Sequence, residues 1–458
     1  MNVRPFEATF EAWKAFVREW MKVEGVPGAA LAVSHQGETA AAGLGITSVE
    51  NPLPVTSRTL FQIGSITKTL TAMLLLRLVE QGLLALGEPV RAYLPDFQLA
   101  DEAAAAEATL RHLLTHTGGW EGDFFRDTGS DDFALARYVA EMAGLEQVAP
   151  LGMAYSYCNS GFAVAGRIAE VVTGRSYEEA LTKQVLGPLG LESCYFTAGD
   201  VISRRFAVGH KEDDPGRPAV ARPWTLPRAV APVGGIVSDV ESLLAYGRFH
   251  LGDGIAAGGE RLLSAKSLAA MQTPQVEVSS APRAVGLPWF IYDLEGSRRL
   301  AHGGGTKGQI ALLTFVPEHN FCLALLTNSD GGDQVTLRAA RWAYDHFLGL
   351  TERDPSPLPA GEAQVAEYAG RYTRPYQDLE LTPEGGRLRL QTFPKAGFPS
   401  QDVPPNPPSE PFYADLYAAD RFIVLEGNYR SARGDFVRRP DGSLGWLRFG
   451  GRLHRPEG

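Results

Sequence analysis

At 458 residues the chain exceeds the roughly 250–300 residues at which a single hydrophobic core stops growing, so we expect two domains. Its 53 acidic and 43 basic residues give a net charge of -10, and the lack of a long basic run argues against nucleic acid as a partner. The three cysteines, Cys158, Cys194 and Cys322, are too widely spaced for a disulfide framework or a metal site, which indicates a reducing compartment.

Residues 1–13 predict no signal peptide, because acidic residues interrupt them and no continuous apolar stretch is present. The apolar run 73–76 is far shorter than the roughly 20 apolar residues that a membrane span needs. We therefore expect a soluble, cytoplasmic protein with no membrane partner, no metal and no cofactor.

Helical spacing of apolar residues predicts a first helix over 6–23. Two short apolar runs, 29–35 and 40–45, flank a Gln-Gly-Glu sequence that is typical of a hairpin turn between two strands. The chain then leads into a strand end and a second helix that begins close to Ser65.

From about 83 to 252 the pattern predicts a mostly helical insertion, with helices over 103–114, 133–143 and 161–172 and a later helix capped by Ser238 or Asp239. Strands are predicted over 289–294, 300–303, 309–317 and 321–328, and a closing helix over 336–348. Strands from both ends with helices between them predict an α+β domain over 1–351 whose sheet joins its two termini.

Residues 352–364 are rich in proline and predict a linker of limited flexibility. Beyond it, short alternating runs separated by glycine turns predict antiparallel strands over 368–372, 379–381, 388–392, 422–425, 436–438 and 444–449. We interpret 365–458 as a small all-β domain, a barrel or a sandwich.

The candidate nucleophile is Ser65, which precedes Lys68 at the start of the second helix. Residues three apart share one helical face with Cβ atoms roughly 5–6 Å apart, so the Lys68 amine can reach the Ser65 oxygen. Gly64 permits a sharp turn, and a helix N-terminus offers free N–H groups to a developing oxyanion. The alternative is a plain helix cap at Ser65 with a solvated Lys68, although the helix macrodipole disfavours a cation in the first turn.

Two later segments could complete a site with this pair. Tyr157 and Asn159 are two residues apart in an extended stretch, so they point the same way and could relay a proton and bind an amide. Ring packing and helix capping are the alternatives. His302 precedes three glycines beside a strand, which indicates either close approach of a ligand or backbone, or a flexible turn.

These motifs occur in the order seen in serine β-lactamases and penicillin-binding proteins: Ser65-Ile66-Thr67-Lys68, Tyr157-Cys158-Asn159 and His302-Gly303-Gly304. The segments 61–65, 113–119, 155–159, 234–238 and 302–308 extend the likeness. Over roughly residues 10–350 the chain resembles the class C β-lactamase-like serine hydrolase family, which includes esterases and D-aminopeptidases. The resemblance implies an antiparallel sheet flanked by helices with a helical subdomain, and the C-terminal segment resembles the lipocalin-like β-barrel appended to some members.

The resemblance also implies roles for individual residues. Ser65 would attack a carbonyl, Lys68 and Tyr157 would share the role of base, and Asn159 would fix Lys68. Burial and a neighbouring cation should depress the pKa of Lys68, and a lysine ammonium should favour the Tyr157 phenolate. The oxyanion hole would consist of the backbone N–H groups of Ser65 and Gly305.

Substrate would further contact Gly303 and Gly304, with the aromatic residues Trp120 and Phe125 as candidate walls of an apolar acyl pocket. Core packing is the alternative for the aromatic residues. β-Lactamases have Lys-Thr-Gly where this chain has a histidine and two glycines, so the permanent cation that would bind a β-lactam carboxylate is absent. His302, largely neutral at pH 7, could instead hydrogen-bond Tyr157 or a leaving group.

The leading prediction is a serine hydrolase that forms an acyl-enzyme on Ser65 with a small ester, amide or short peptide, most simply an esterase. A D-aminopeptidase or peptidase is the nearest alternative, and weak β-lactamase activity remains open. A different class is a penicillin-binding-like protein without turnover that holds a ligand in its barrel, but the presence of Ser65, Lys68 and Tyr157 argues against it. The sequence leaves a homo-oligomer open.

Overall fold

The first helix and hairpin lie where the sequence predicts them. In the computed structural model, which describes residues 5–214 and 217–457, α1 is Phe6–Val23, and β1 (Gly28–His35) and β2 (Glu38–Gly45) meet at a two-residue turn. Gln36 and Gly37 in this turn both have positive φ, 50° and 90°, as such a hairpin turn requires.

The remaining helices are α2 (Thr67–Glu80), α3 (Glu102–Glu107), α4 (Leu110–Leu114), α5 (Ala134–Glu141), α6 (Asn159–Thr173), α7 (Tyr177–Leu181), α8 (Gly187–Leu189), α9 (Ala198–Val201), α10 (Ala231–Gly234), α11 (Val240–Phe249), α12 (Ala265–Gln272), α13 (Gly332–Ala343) and α14 (Glu362–Ala366). The helix predicted over 103–114 is two helices, because the Thr109 hydroxyl caps α4 by accepting from the His112 N–H. Asp239, one of the two predicted caps, accepts from Ser242 N–H at the start of α11. Within the described ranges, no helix is long and apolar enough to cross a membrane.

The strands that follow the hairpin are β3 (Phe61–Gln62), β4 (Cys194–Tyr195), β5 (His210–Asp214), β6 (Arg217–Val220), β7 (Val237–Ser238), β8 (Val276–Glu277), β9 (Ala284–Val285), β10 (Phe290–Leu294), β11 (Ser297–Thr306), β12 (Gln309–Val316) and β13 (Phe321–Thr327). Eight strands form one antiparallel sheet in the order β2-β1-β13-β12-β11-β10-β9-β8. β1 pairs with β13, with Leu31 opposite Leu325, so the sheet joins the two ends of the α+β part as predicted.

β11 is longer than the strand predicted over 300–303, because it continues through all three glycines. Its glycines pair with β12, with Gly303 opposite Leu312 and Gly305 opposite Ile310. A Cβ on Gly304 would collide with the Ile63 carbonyl oxygen. The glycines therefore allow β11 to lie against the turn that carries Ser65, and the flexible-turn alternative is wrong.

The C-terminal part is a closed barrel of β14 (Gly370–Thr373), β15 (Gln377–Glu384), β16 (Arg387–Pro394), β17 (Phe412–Ala418), β18 (Arg421–Val424), β19 (Arg433–Arg438), β20 (Leu444–Phe449) and β21 (Arg452–Pro456). β14 pairs with β21 to close it. Buried side chains that include Leu390, Phe422 and Phe436 fill its interior. In a small barrel of eight strands the side chains can occupy the whole interior, so here the barrel encloses a core.

Candidate functional site

Ser65 lies in a 3-10 turn, Gly64–Ile66, that runs directly into α2. Lys68 is fully buried, and its Nζ donates hydrogen bonds to Ser65 Oγ at 3.0 Å and to the Val233 carbonyl at 2.8 Å. Burial, followed by the positive charge of Arg452, lowers the pKa of Lys68 well below its usual value. A neutral amine beside a hydroxyl can accept its proton, so the predicted contact and the predicted depression of the pKa are both present.

Tyr157 is buried against this pair. Its ring lies 5.0 Å from Lys68 Nζ and 4.5 Å from the Arg452 guanidinium carbon. Burial raises the pKa of Tyr157 above its usual value, with the Ser65 hydroxyl and Arg452 acting in the opposite direction. The predicted phenolate is therefore wrong for the resting site: Tyr157 keeps its proton, because a neighbouring lysine that is itself neutral supplies no charge to stabilise an anion.

Asn159 is the first residue of α6, and the cap of this helix is Cys158, whose Sγ accepts from Gly161 N–H. Asn159 Nδ2 donates to Asp123 Oδ1 at 2.6 Å. The predicted contact between Asn159 and Lys68 is replaced by this one, since the Lys68 amine bonds to Ser65 and to a backbone carbonyl instead.

His302 is 1% exposed in β11, and its ring stacks on Phe290 with centroids 4.8 Å apart. Its Nδ1 lies 2.7 Å from the Gly303 carbonyl oxygen, which can only accept, so Nδ1 carries the proton. Burial lowers the pKa of His302 to about 3, which agrees with the predicted neutral ring. The His302 and Tyr157 rings are 6.4 Å apart without a hydrogen bond between them.

The backbones of Ser65 and Gly305 lie side by side. A Cβ on Gly64, whose φ is 50°, would lie 2.7 Å from the Gly305 nitrogen, and a Cβ on Gly304 would lie 3.1 Å from the Ser65 nitrogen. The backbone N–H groups of Ser65 and Gly305 therefore remain the candidate donors of an oxyanion hole.

A cavity of about 630 Å³ opens at Ser65. Its wall from the α+β part includes Ser65, Phe125, Tyr157, Asn159, His302, Gly303 and Gly305, and its wall from the barrel includes Tyr376, Phe398, Phe449, Gly451 and Arg452. Phe125 packs on Phe398 with ring centroids 4.9 Å apart. Both parts of the chain therefore form the pocket.

Two candidate substrate contacts lie elsewhere. Trp120 is buried in the core, where its Nε1 donates to Ser160 Oγ at 3.1 Å, because a fully enclosed indole needs an internal acceptor. Gly304 faces the Ile63 carbonyl, on the side of β11 away from its exposed neighbours Gly303 and Gly305.

The barrel contacts the site directly. The Gly451 carbonyl accepts from Tyr157 N–H at 2.8 Å, and Leu453 N–H donates to Ser156 Oγ at 3.2 Å. The barrel thus places a permanent cation, Arg452, over the Tyr157 ring. Asp123 compensates the charge of Arg452, since Arg452 Nε lies 3.1 Å from Asp123 Oδ2.

The sequence reasoning missed Asp123, Arg374 and Arg452, which form the ionic surroundings of Asn159. One usable signal was the run Trp120 to Phe125, where two acids stand among aromatic residues and so favour buried, paired carboxylates. Nothing local marks the two arginines, because their positions depend on how the barrel packs. Among the described residues, no group of three or more His, Cys, Asp or Glu could hold a metal ion.

Comparison with known proteins agrees with this architecture. The sequence profile of the Beta-lactamase family matches residues 13–346. Penicillin-binding protein 4 of Amycolatopsis lactamdurans is 35% identical over 356 residues, which cover 76% of this chain and 93% of that protein. Esterase EstB of Burkholderia gladioli is 33% identical over 186 residues, which cover 37% and 46%.

A crystal structure of SurE with D-Leu superposes with a TM-score of 0.76 at 26% identity and covers 98% of this chain and 100% of that one, so the likeness includes the barrel. The profile match and the penicillin-binding protein relative, which is matched over 76% of this chain, both indicate the same family. The chain belongs to the Beta-lactamase family.

Proposed function

We propose that the protein is a serine hydrolase that cleaves a small ester or amide through an acyl-enzyme on Ser65, with esters as its preferred class. The observation that carries the proposal is the 3.0 Å hydrogen bond between Lys68 Nζ and Ser65 Oγ, made by a lysine that is fully buried. An amine held neutral in this position is a base that can activate a hydroxyl.

In the proposed mechanism, Ser65 Oγ attacks the carbonyl carbon while its proton passes to Lys68 Nζ. The electron pair of the carbonyl moves to its oxygen, which the N–H groups of Ser65 and Gly305 stabilise. The leaving group departs with the proton that Lys68 accepted, passed on through the Tyr157 hydroxyl, so that Lys68 and Tyr157 return to their starting forms. Water then attacks the acyl carbonyl and gives a proton to Lys68, which passes it to Ser65 Oγ as the acyl–oxygen bond breaks and the acid is released.

The charge pattern of the cavity supports a neutral ester or amide. His302 adds no permanent cation, since its pKa of about 3 keeps the ring neutral. The positive charge of Arg452 is already paired with Asp123. Neither His302 nor Arg452 therefore offers an uncompensated cation to the carboxylate of a β-lactam. The neighbouring aromatic wall suits an apolar acyl group.

A second candidate is an amide that contains a D-amino acid. It is favoured by the likeness to SurE, a structure with D-Leu, which extends over nearly the whole chain. The same residues would carry out both reactions, so the two candidates differ only in the group that the cavity accepts.

The test is intact-mass spectrometry after exposure to a fluorophosphonate, a panel of p-nitrophenyl esters, D-amino-acid p-nitroanilides and a penicillin. We expect one adduct on the wild type, none on Ser65→Ala, and faster turnover of esters than of anilides. Ser34→Ala, which removes a buried hydroxyl from β1, is the matched control and should be labelled like the wild type. A Ser65→Ala protein that kept full turnover would overturn the proposal.

A further inference from the structure

Arg374, which lies in the barrel between β14 and β15, is linked to Asn159 by a short chain of contacts. We propose that Arg374 is a positioning residue that fixes the Asn159 carboxamide through Asp123, so that the barrel sets the geometry of the site it covers. The role of Asn159 toward substrate rests on the proposed function, whereas its placement by Arg374 can be measured without substrate.

Arg374 holds two carboxylates at once. Its Nη1 lies 2.8 Å from Glu121 Oε1 and its Nη2 lies 2.9 Å from Asp123 Oδ2, with all three side chains buried. Glu121 is held further by the backbone N–H groups of Asp123 and Tyr376. A planar guanidinium that bridges two acceptors fixes direction as well as distance.

The segment around Gly122 packs against Asn159 without space between them. A Cβ on Gly122 would lie 2.6 Å from both the Cys158 Cα and the Tyr157 carbonyl oxygen. Ser160 N–H donates to the Gly122 carbonyl at 2.9 Å. A displacement of Asp123 would therefore be transmitted to the first turn of α6.

The charge of Asp123 decides which way the carboxamide faces. Burial acts to raise the pKa of Asp123, but Arg452 and Arg374 outweigh it and hold this pKa below its usual value. An ionised carboxylate only accepts hydrogen bonds, so the NH₂ group of Asn159 must face Asp123 and its Oδ1 must face away. Oδ1 is then presented as an acceptor beside the cavity, which Asn159 lines.

The test is a double-mutant cycle measured with the best ester of the panel. We expect Arg374→Gln to lower kcat/KM by about tenfold and Asn159→Ala by about a hundredfold, the scale of a misplaced substrate contact. Because Arg374 acts through Asn159, the double variant should lie within about twofold of Asn159→Ala. Losses that multiply in the double variant would show a separate structural effect and overturn the proposal.

Arg455→Gln is the matched control, because Arg455 also joins the barrel to the α+β part, through an exposed ion pair with Glu146 at 3.0 Å. It should change kcat/KM by less than about twofold, as expected for an exposed pair. A tenfold loss in this variant would mean that any weakening of the interface is sufficient, which contradicts a specific role for Arg374.

The substrate-free readout is the NMR signal of the Asn159 side-chain amide in protein labelled with ¹⁵N-asparagine, assigned by its loss in Asn159→Ala. The signal should shift in Arg374→Gln and stay in place in Arg455→Gln, and an unshifted signal in Arg374→Gln would overturn the proposal. Asp123→Asn, which breaks the same chain without a change in volume, repeats the test if Arg374→Gln does not fold. A wild type that is neither labelled nor active refutes the proposed function, while the NMR result still decides the placement of Asn159.

Discussion

Two buried titratable side chains near Tyr157, Lys68 and Asp123, have opposite surroundings. Lys68 has only neutral partners, the Ser65 hydroxyl and the Val233 carbonyl. Asp123 has two arginines and the Asn159 carboxamide. An unpaired buried group adopts its neutral form, whereas a paired one keeps its charge. The comparison shows how one interior can hold a reactive base and, close by, a rigid ionic anchor.

The largest effect should come from removal of the unpaired base. Lys68→Met should lower kcat/KM by at least about a thousandfold, because Ser65 loses its proton acceptor. It should also raise the free energy of unfolding by about 1–3 kcal/mol at pH 7, since the unfolded chain binds a proton at Lys68 that the folded chain lacks. Turnover and urea unfolding measure both quantities. If the free energy of unfolding of Lys68→Met stayed equal or fell, burial would not hold Lys68 in its neutral form, contrary to the comparison.

Removal of the paired charge should act in the other direction on stability. Asp123→Ala should lower the free energy of unfolding by about 3–5 kcal/mol, because the partly buried Arg452 loses its counter-charge and the buried Arg374 keeps only Glu121. Asp253→Ala removes a carboxylate paired with Arg261 at the surface and should cost less than about 1 kcal/mol. Denaturant unfolding of the two variants side by side measures the difference. Similar losses would show that burial of the pair is unimportant.

A cation in place of the neutral His302 ring should alter which acyl donor is accepted. His302→Lys places an ammonium where the chain has a neutral ring, and we expect acylation of Ser65 by a penicillin to become about tenfold faster, the effect of one added charge contact. The rate of mass gain after exposure to the penicillin measures it. An unchanged rate would mean that the histidine does not determine the poor fit to β-lactams.

The smallest effect should be a displacement of the pH profile. Lys68 must be neutral to act as base, so kcat/KM should fall as the pH falls through its depressed pKa. Arg452→Gln removes a cation that lowers this pKa, so the acidic limb should move to higher pH. His302→Asn should leave the limb in place, because the pKa of His302 is already about 3. If the acidic limb moved in His302→Asn and stayed in place in Arg452→Gln, the limb would not report the protonation of Lys68.

Much of the fold could be predicted from periodicity. α1 has the predicted bounds, and the hairpin and the strands β10 to β13 lie where short apolar runs predict them. The short strands β8 and β9 of the large sheet were missed, as were β17 and β21 of the barrel. β17 follows a proline-rich stretch that is typical of a loop, and β21, Arg452–Pro456, is mostly polar. Its place is fixed by closure of the barrel, which no local pattern shows.

The site was predictable as far as its motifs are local. Ser65 and Lys68 meet because they are three positions apart and so lie on one face of a helical turn. The partner of Asn159 was wrong because Asp123 lies 36 residues earlier in the chain and owes its charge to Arg374 and Arg452. Such pairings depend on how the barrel packs against the α+β part, and the composition does not show which residues of two folded parts will meet.

The order of the chain has a consequence for protein synthesis. The ribosome releases Ser65 and Lys68 well before Arg374, while domains fold as units from the N-terminus. Until the barrel emerges, Glu121 and Asp123 have no arginine between them. In a nascent chain, Ser65 and Lys68 are thus present before their ionic surroundings are complete, and folding of the barrel completes the site.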